Sequence, residues 1–266
     1  MSMEKSRLDV LLVERGLAES RSLAQRLVMA GQVRVNGQVV LRAATSIPRD
    51  ALLEVDQGPR YASRGGEKLE AAFQSFPVKA DGYVCADVGS STGGFTDCLL
   101  QHGAIRVYAI DVGHGILDWK LRQDARVVVM EDTNARFVET LPELIQLVTI
   151  DVSFISLKII LPVVAGWLPK DVSGGSVLAL VKPQFEAGRH EVSRGKGVIR
   201  DPRVHRQVLL DVLGSTVTVG YALRGLICSP ITGPKGNVEF LAWLEYPAAQ
   251  DTAIEALVDL VVPTQE

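Results

Sequence analysis

One run of residues constrains this chain more than any other: Ala86-Asp87-Val88-Gly89-Ser90-Ser91-Thr92-Gly93-Gly94-Phe95-Thr96. It follows the apolar stretch Tyr83 to Ala86 and opens an amphipathic one carrying Phe95, Cys98, Leu99 and Leu100. That order spells strand, glycine-rich turn and helix, the first unit of a βαβ fold. Downstream, apolar segments at 83–87, 106–111, 127–130, 147–152, 176–182, 221–228 and 238–244 alternate with helical patterns. The early segments are continuous apolar runs, as expected of parallel strands covered on both faces. Seven such strands predict an α/β fold with a doubly wound, Rossmann-like sheet. Ligands of such sheets sit beyond the carboxyl ends of the strands.

The turn is not G-x-G-x-x-G. A pyrophosphate favours bare amides at a helix N-terminus and disfavours a carboxylate at the strand end, where Asp87 stands. S-adenosylmethionine carries an ammonium and a sulfonium and no phosphate, so an acidic turn suits it. A turn without ligand and a nucleotide are the second and third readings. On the first, Asp87, Gly89, Ser90, Ser91, Thr92, Gly93, Gly94 and Phe95 form the cofactor turn. Asp111 ends the second strand, where an acid accepts the hydroxyls of a ribose or caps a helix. Asp132, in Glu131-Asp132-Thr133-Asn134, is placed either to accept an adenine amine or to cap a loop.

Polar residues punctuate the other strand ends. Asp151 closes the fourth strand, Lys182 follows four apolar residues in the fifth, and Glu239 opens the last. Lys68 heads the first helix of this region. A lysine at a core's edge is costly without a partner. Two lysines and two acids around one cleft suit removal of a proton from a weakly acidic hydroxyl. A lysine next to another cation and away from water can act as a base near neutrality. Taken singly, each of these residues also reads as an ordinary ion pair. No metal is expected: Cys85, Cys98 and Cys228 are scattered without ligand spacing, and His102, His114, His190 and His205 form no triad.

The first 60 residues have a pattern of their own. Leu8, Leu11 and Leu12 sit at helical spacing; Ser20 or Ser22 can cap a second helix that ends at Gly31. The alternating valines around Asn36-Gly37 predict a hairpin. This small α+β segment resembles the S4 RNA-binding domain in Arg7-Leu8-Asp9, Ser20 to Leu27 and Gly31 to Gly37. The resemblance implies that Arg7, Arg21 and Arg26 face RNA phosphates.

The chain's net charge of −3 conceals this asymmetry. Residues 1–65 hold ten Lys/Arg against seven Asp/Glu, and residues 182–206 hold seven against three, whereas 241–266 hold five acids and no base. Partners meet local patches, so the total does not exclude nucleic acid. The basic, glycine-rich stretch Gly188 to Arg200 is fit for a mobile loop over RNA. Scattered cysteines, no membrane-length apolar run and no signal-peptide core predict a cytoplasmic protein without a membrane partner.

Lys68, Asp151, Lys182 and Glu239 match the Lys-Asp-Lys-Glu tetrad of the FtsJ-like (RrmJ-type) ribose 2′-O-methyltransferases. With the S4 segment in front, the chain resembles the TlyA, or hemolysin A, family, also in Ser63 to Leu69, Asp111 to Arg122 and Val181 to Glu186. Asp132 departs from the pattern, which has a basic residue there. The resemblance implies a class I S-adenosylmethionine-dependent methyltransferase acting on a cytidine 2′-hydroxyl of ribosomal RNA or a ribosomal subunit, with Arg64 also near RNA. The expected layout is an S4-like domain at 1–58, a basic linker at 59–66, the methyltransferase domain at 67–250 and an acidic segment at 251–266. Two other readings are an RNA-binding assembly factor that holds the cofactor without methylating, and, behind it, a membrane-active hemolysin.

Overall fold

A computed structural model of the chain describes residues 4–56, 58–171, 174–188, 197–248 and 253–262. Residues 189–196 of the basic stretch lie outside them. The chain divides between Arg60 and Tyr61 into two units. Among the described residues, no helix is long and apolar enough to cross a membrane.

The first unit contains β1 (Lys5–Arg7), α1 (Leu8–Glu14), α2 (Arg21–Met29), β2 (Val33–Val35), β3 (Gln38–Val39), β4 (Ser46–Pro48) and β5 (Leu53–Val55). Ser20 caps α2 by accepting the Leu23 amide at 3.2 Å. Asn36 and Gly37 both take positive φ, as a two-residue hairpin turn requires, and join β2 to β3. The three-stranded sheet β3-β2-β5 is accompanied by the pair β1-β4. Leu8, Leu11, Leu12, Ala24, Val28 and Val33 fill the small core.

The second unit runs α3 (Gly65–Ser75), β6 (Val84–Val88), α4 (Gly94–Gln101), β7 (Arg106–Ile110), α5 (Trp119–Arg122), β8 (Val127–Met130), β9 (Leu147–Ile150), α6 (Leu157–Val164), β10 (Gly175–Val181), α7 (Pro183–Glu186), α8 (Pro202–Val219), β11 (Ala222–Cys228), β12 (Phe240–Tyr246) and α9 (Ile254–Val261). Its seven strands lie in the order β11-β12-β10-β9-β6-β7-β8. All neighbours from β10 to β8 pair in parallel, and β12 is antiparallel to both β10 and β11. Alternation splits each strand between two cores. Cys85, Val107 and Leu147 pack with Leu69, Ala72 and Leu99 of α3 and α4. Ala86, Val148 and Val177 pack with Leu161 of α6 and Leu209 and Val212 of α8. Each fully buried aliphatic side chain stabilises the fold by about 1.5–3 kcal/mol.

Helix α9, within the acidic segment, packs on this unit. Val258 of α9 is fully buried in the core, and Asp259 accepts from Arg206 of α8 at 2.8 Å.

Candidate active site

Sheet register gathers the polar strand ends. Val88 and Ala179 both pair with Ile150, and Val181 pairs with Phe240. The next residues along, Gly89, Asp151, Lys182 and Glu239, therefore emerge together. Glu239 can join them because β12 runs backwards and so begins where β10 ends. Lys68 is added from the first turns of α3, where Gly66 packs so tightly on the Tyr61 ring that no Cβ fits.

These four residues form two ion pairs. Lys68 Nζ lies 2.5 Å from Glu239 Oε2, and Lys182 Nζ lies 2.6 Å from Asp151 Oδ1. Lys182 also donates to Ser153 Oγ at 3.1 Å, and Gln184 Nε2 donates to Glu239 Oε1 at 3.3 Å. Lys68, Lys182 and Glu239 are buried. Desolvating such charges costs several kcal/mol per ion, so buried pairs are weak evidence for stability. Two of them at one sheet end point to chemistry.

Among the described residues, two buried side-chain oxygens lack a hydrogen bond: Asp151 Oδ1 and Gln184 Oε1. Lys182 meets the first as a charge, without an aligned hydrogen bond. Both belong to this cluster. Unmet buried acceptors are rare in folded proteins and call for an explanation.

Two cavities flank the cluster. One of about 610 Å³ is lined by Ser91, Asp111, Asn134, Asp151 and Phe154, among others. The other, of about 510 Å³, is lined by Ser63, Arg64, Lys68, Ser90, Asp151 and Thr232, among others. Gly89, Ser91 and Asp151 belong to both walls. Asp111 is anchored by the amides of Ser91 at 2.8 Å and Gly113 at 2.7 Å.

Residues 61–246 match the FtsJ-like methyltransferase family, and residues 6–50 match the S4 domain. The chain belongs to the FtsJ-like methyltransferases. The YqxC protein of Bacillus subtilis, provisionally named an rRNA methyltransferase, is 53% identical over 93% of this chain and 88% of its own length. The 16S/23S rRNA (cytidine-2′-O)-methyltransferase TlyA of Mycobacterium tuberculosis is 41% identical over 97% of this chain and 96% of its own. A solved Streptococcus thermophilus protein provisionally labelled a hemolysin is 44% identical, with a TM-score of 0.73 over 98% of this chain and 95% of that one. The fold and the family are those of S-adenosylmethionine-dependent methyltransferases.

Within this FtsJ-like domain, the residues of the glycine-rich turn divide between cavity walls and internal packing. Asp87 lines neither cavity. It is fully buried, accepts from Thr96 at 2.7 Å and Thr149 at 3.1 Å, and burial pushes its carboxyl up to about 7. It braces the turn from beneath. Gly93 and Gly94 are needed for contact with protein: a Cβ would strike Leu121 from the first and Ser63 from the second. Thr92 is exposed and lines neither cavity, whereas Ser90 and Phe95 face the smaller one.

Asp132 lies at the rim, outside the lining of either cavity. Its positive φ turns it outward to pair with His114 at 2.7 Å, and Thr133 and Asn134 line the cavity instead. Glu131 is structural. It accepts the amides of Gly115, Ile116 and Leu117 and a bond from Arg122, and these contacts hold its carboxyl down at about 2.

Arg64 stands exposed at the smaller cavity. In the first unit, Arg7 and Arg21 converge on Asp9, and Arg26 donates to Ser22 at 3.2 Å. Sequence spacing also concealed a mixed donor set. Glu70, Cys98 and His102 bring their ligand atoms within 4.8 Å of one another because α3 packs on α4. His102 and the Tyr61 hydroxyl lie on Glu70 Oε2, both at 2.7 Å.

Three further residues went unread in the sequence. Gln184 sits in the motif after Lys182, and only its unmet oxygen singles it out. Glu186 accepts from Ser156 and the Leu157 amide and so fixes the start of α6. Phe154 is 89% exposed with φ +65°, and its ring meets that of Phe185 at a tilt of 51°; the Phe185 ring lies 5.7 Å from Lys182 Nζ. A bulky residue held at positive φ beside a cavity is the kind of strain that accompanies function.

Proposed function

We propose that this chain transfers a methyl group from S-adenosylmethionine to the 2′-hydroxyl of a cytidine in ribosomal RNA, acting in the cytoplasm. One observation carries the reading. The two cavities share Asp151, which pairs with the buried Lys182, and the smaller one is also lined by the buried Lys68. A ribose hydroxyl entering there would meet a carboxylate acceptor and two lysines.

The larger cavity fits the cofactor, because its carboxylates Asp111 and Asp151 suit a cationic, phosphate-free ligand. Gly89 admits it by leaving bare backbone at the shared wall. When bound, S-adenosylmethionine supplies an electrophilic methyl group. Lys182 takes the 2′-hydroxyl proton, and Asp151 stabilises the ammonium that results. Lys68 steadies the developing negative charge on the oxygen, and Glu239 holds Lys68 in place. Arg64 and the S4 unit bind the RNA backbone. The main contribution is alignment of oxygen and methyl, since correct positioning alone removes much of such a barrier.

The substrate is inferred from the relative of M. tuberculosis, whose name states an rRNA cytidine 2′-oxygen. The test is incubation of the purified protein with labelled S-adenosylmethionine and ribosomal subunits lacking the modification, followed by nuclease digestion and mass spectrometry. The expected label is on a cytidine 2′-oxygen. Cofactor binding without any label would overturn the reading and favour an assembly factor.

A further inference from the structure

The first unit contains a fully buried carboxylate that the proposed chemistry does not use. Asp9 sits in the first turn of α1 with none of its surface exposed. Its Oδ1 accepts from Arg7 Nε at 3.0 Å, and its Oδ2 accepts from Arg7 Nη2 at 2.9 Å, Arg21 Nε at 3.0 Å and Gln25 Nε2 at 2.9 Å. Arg7 comes from the residue before α1, and Arg21 and Gln25 come from α2. One short side chain therefore ties two helices and two guanidinium groups to a single point.

The geometry of each arginine matters. Arg7 uses the Nε and Nη2 edge for Asp9, and Arg21 uses only Nε. Arg7 Nη1 and both terminal nitrogens of Arg21 have no partner among the described residues, and the two side chains are 44% and 56% exposed. A free arginine loses rotamer entropy when it grips an anion. Here a buried acceptor has already fixed both forks, with their free N–H groups toward solvent. Planar forks held in this way suit phosphate oxygens.

We propose that Asp9 is a positioning residue for RNA: it holds Arg7 and Arg21 as one preformed clamp for backbone phosphate. This rests on the reading of the chain as an RNA methyltransferase with an RNA-binding first unit. Simple charge counting gives the opposite sign, because removing a buried negative charge from an RNA-binding face should tighten binding.

The experiment measures binding of the full chain to labelled ribosomal RNA by filter retention across a salt series, for wild type, Asp9→Asn, Arg21→Lys and the double variant R7A/R21A. Far-UV circular dichroism and thermal unfolding report folding. The expected result is that folded Asp9→Asn binds about tenfold more weakly, with a shallower salt dependence, because fewer phosphates are neutralised in register. Equal or tighter binding overturns the proposal. If Asp9→Asn does not fold, Arg21→Lys decides: it keeps the charge and Asp9's partner but not the fork. Severalfold weaker binding supports the clamp, and wild-type affinity overturns it. If R7A/R21A binds like wild type, the RNA face itself is wrongly assigned, a failure distinct from that of the clamp.

Discussion

Gly89 and Asp151 touch through their backbones: a Cβ on Gly89 would stand 2.5 Å from the Asp151 carbonyl oxygen. Gly89 also holds φ +85°, a conformation that side chains disfavour. Gly89→Ala must therefore push the end of β9 away from β6 and carry Asp151 with it. We expect a loss of about 1–3 kcal/mol in urea unfolding, the usual cost of such strain. Misplacement by an ångström costs roughly a hundredfold in rate, so single-turnover methyl transfer should fall by about that factor.

Lys182→Ala should remove the proton acceptor while leaving the larger cavity intact, since that cavity is lined without Lys182. Methyl transfer should drop by about 10²–10⁴, the usual contribution of a general base. Cofactor affinity measured by calorimetry should stay near that of wild type. Lys182→Arg should be equally inactive, because a guanidinium keeps its proton. Activity in either variant would remove Lys182 from the chemistry.

Lys68→Met leaves Glu239, 2% exposed, without its counter-charge. Breaking one partner of a buried pair costs about 3–5 kcal/mol. Adding Glu239→Gln removes the orphaned charge and should restore most of that stability, because Gln184 can still hydrogen-bond the new amide. Activity should not return. Chemical denaturation and methyl transfer on the single and double variants separate the two roles.

Asp87 makes stability depend on pH in an unusual direction. Burial raises its carboxyl from the ordinary value of 3.8 to about 7 in the folded state. Between those values the folded chain binds a proton that the unfolded chain has released, so stability contributed at low pH is lost as pH rises toward 7. Asp87→Asn should abolish that loss. Wild type and variant should differ most in the slope of unfolding free energy between pH 5 and pH 7, with wild type falling more steeply.

The larger features were legible because they rest on local rules. The strand beginning at Val84 was visible as an apolar run ended by glycine, and the hairpin at Asn36-Gly37 as a dipeptide suited to positive φ. Lys68, Asp151, Lys182 and Glu239 stood out because charge at the end of an apolar run needs a reason. What escaped notice depends on tertiary placement. Strands β1 and β4 have three residues each, too few to show alternation. Asp87 is legible as a strand-end acid but not as a buried one, and Asp9 looks like any other aspartate until burial distinguishes it. Asp132 follows the third strand as expected, but its backbone turns outward. Gln184 is exceptional only for an acceptor left empty, and Glu70, Cys98 and His102 meet only once two helices pack.

The reversal of β12 has a consequence in time. Lys68 precedes the sheet, whereas its partner Glu239 lies 171 residues further on and opens the last strand. The residues that line the larger cavity end at Ile160 in α6, so they are synthesised well before Glu239. The cluster is thus closed last, by a strand that must slide between β10 and β11. A chain ended before β12 lacks the acid that pairs with Lys68. The pairing of Lys68 therefore waits on the last strand of the sheet, a dependence written into the order of the strands.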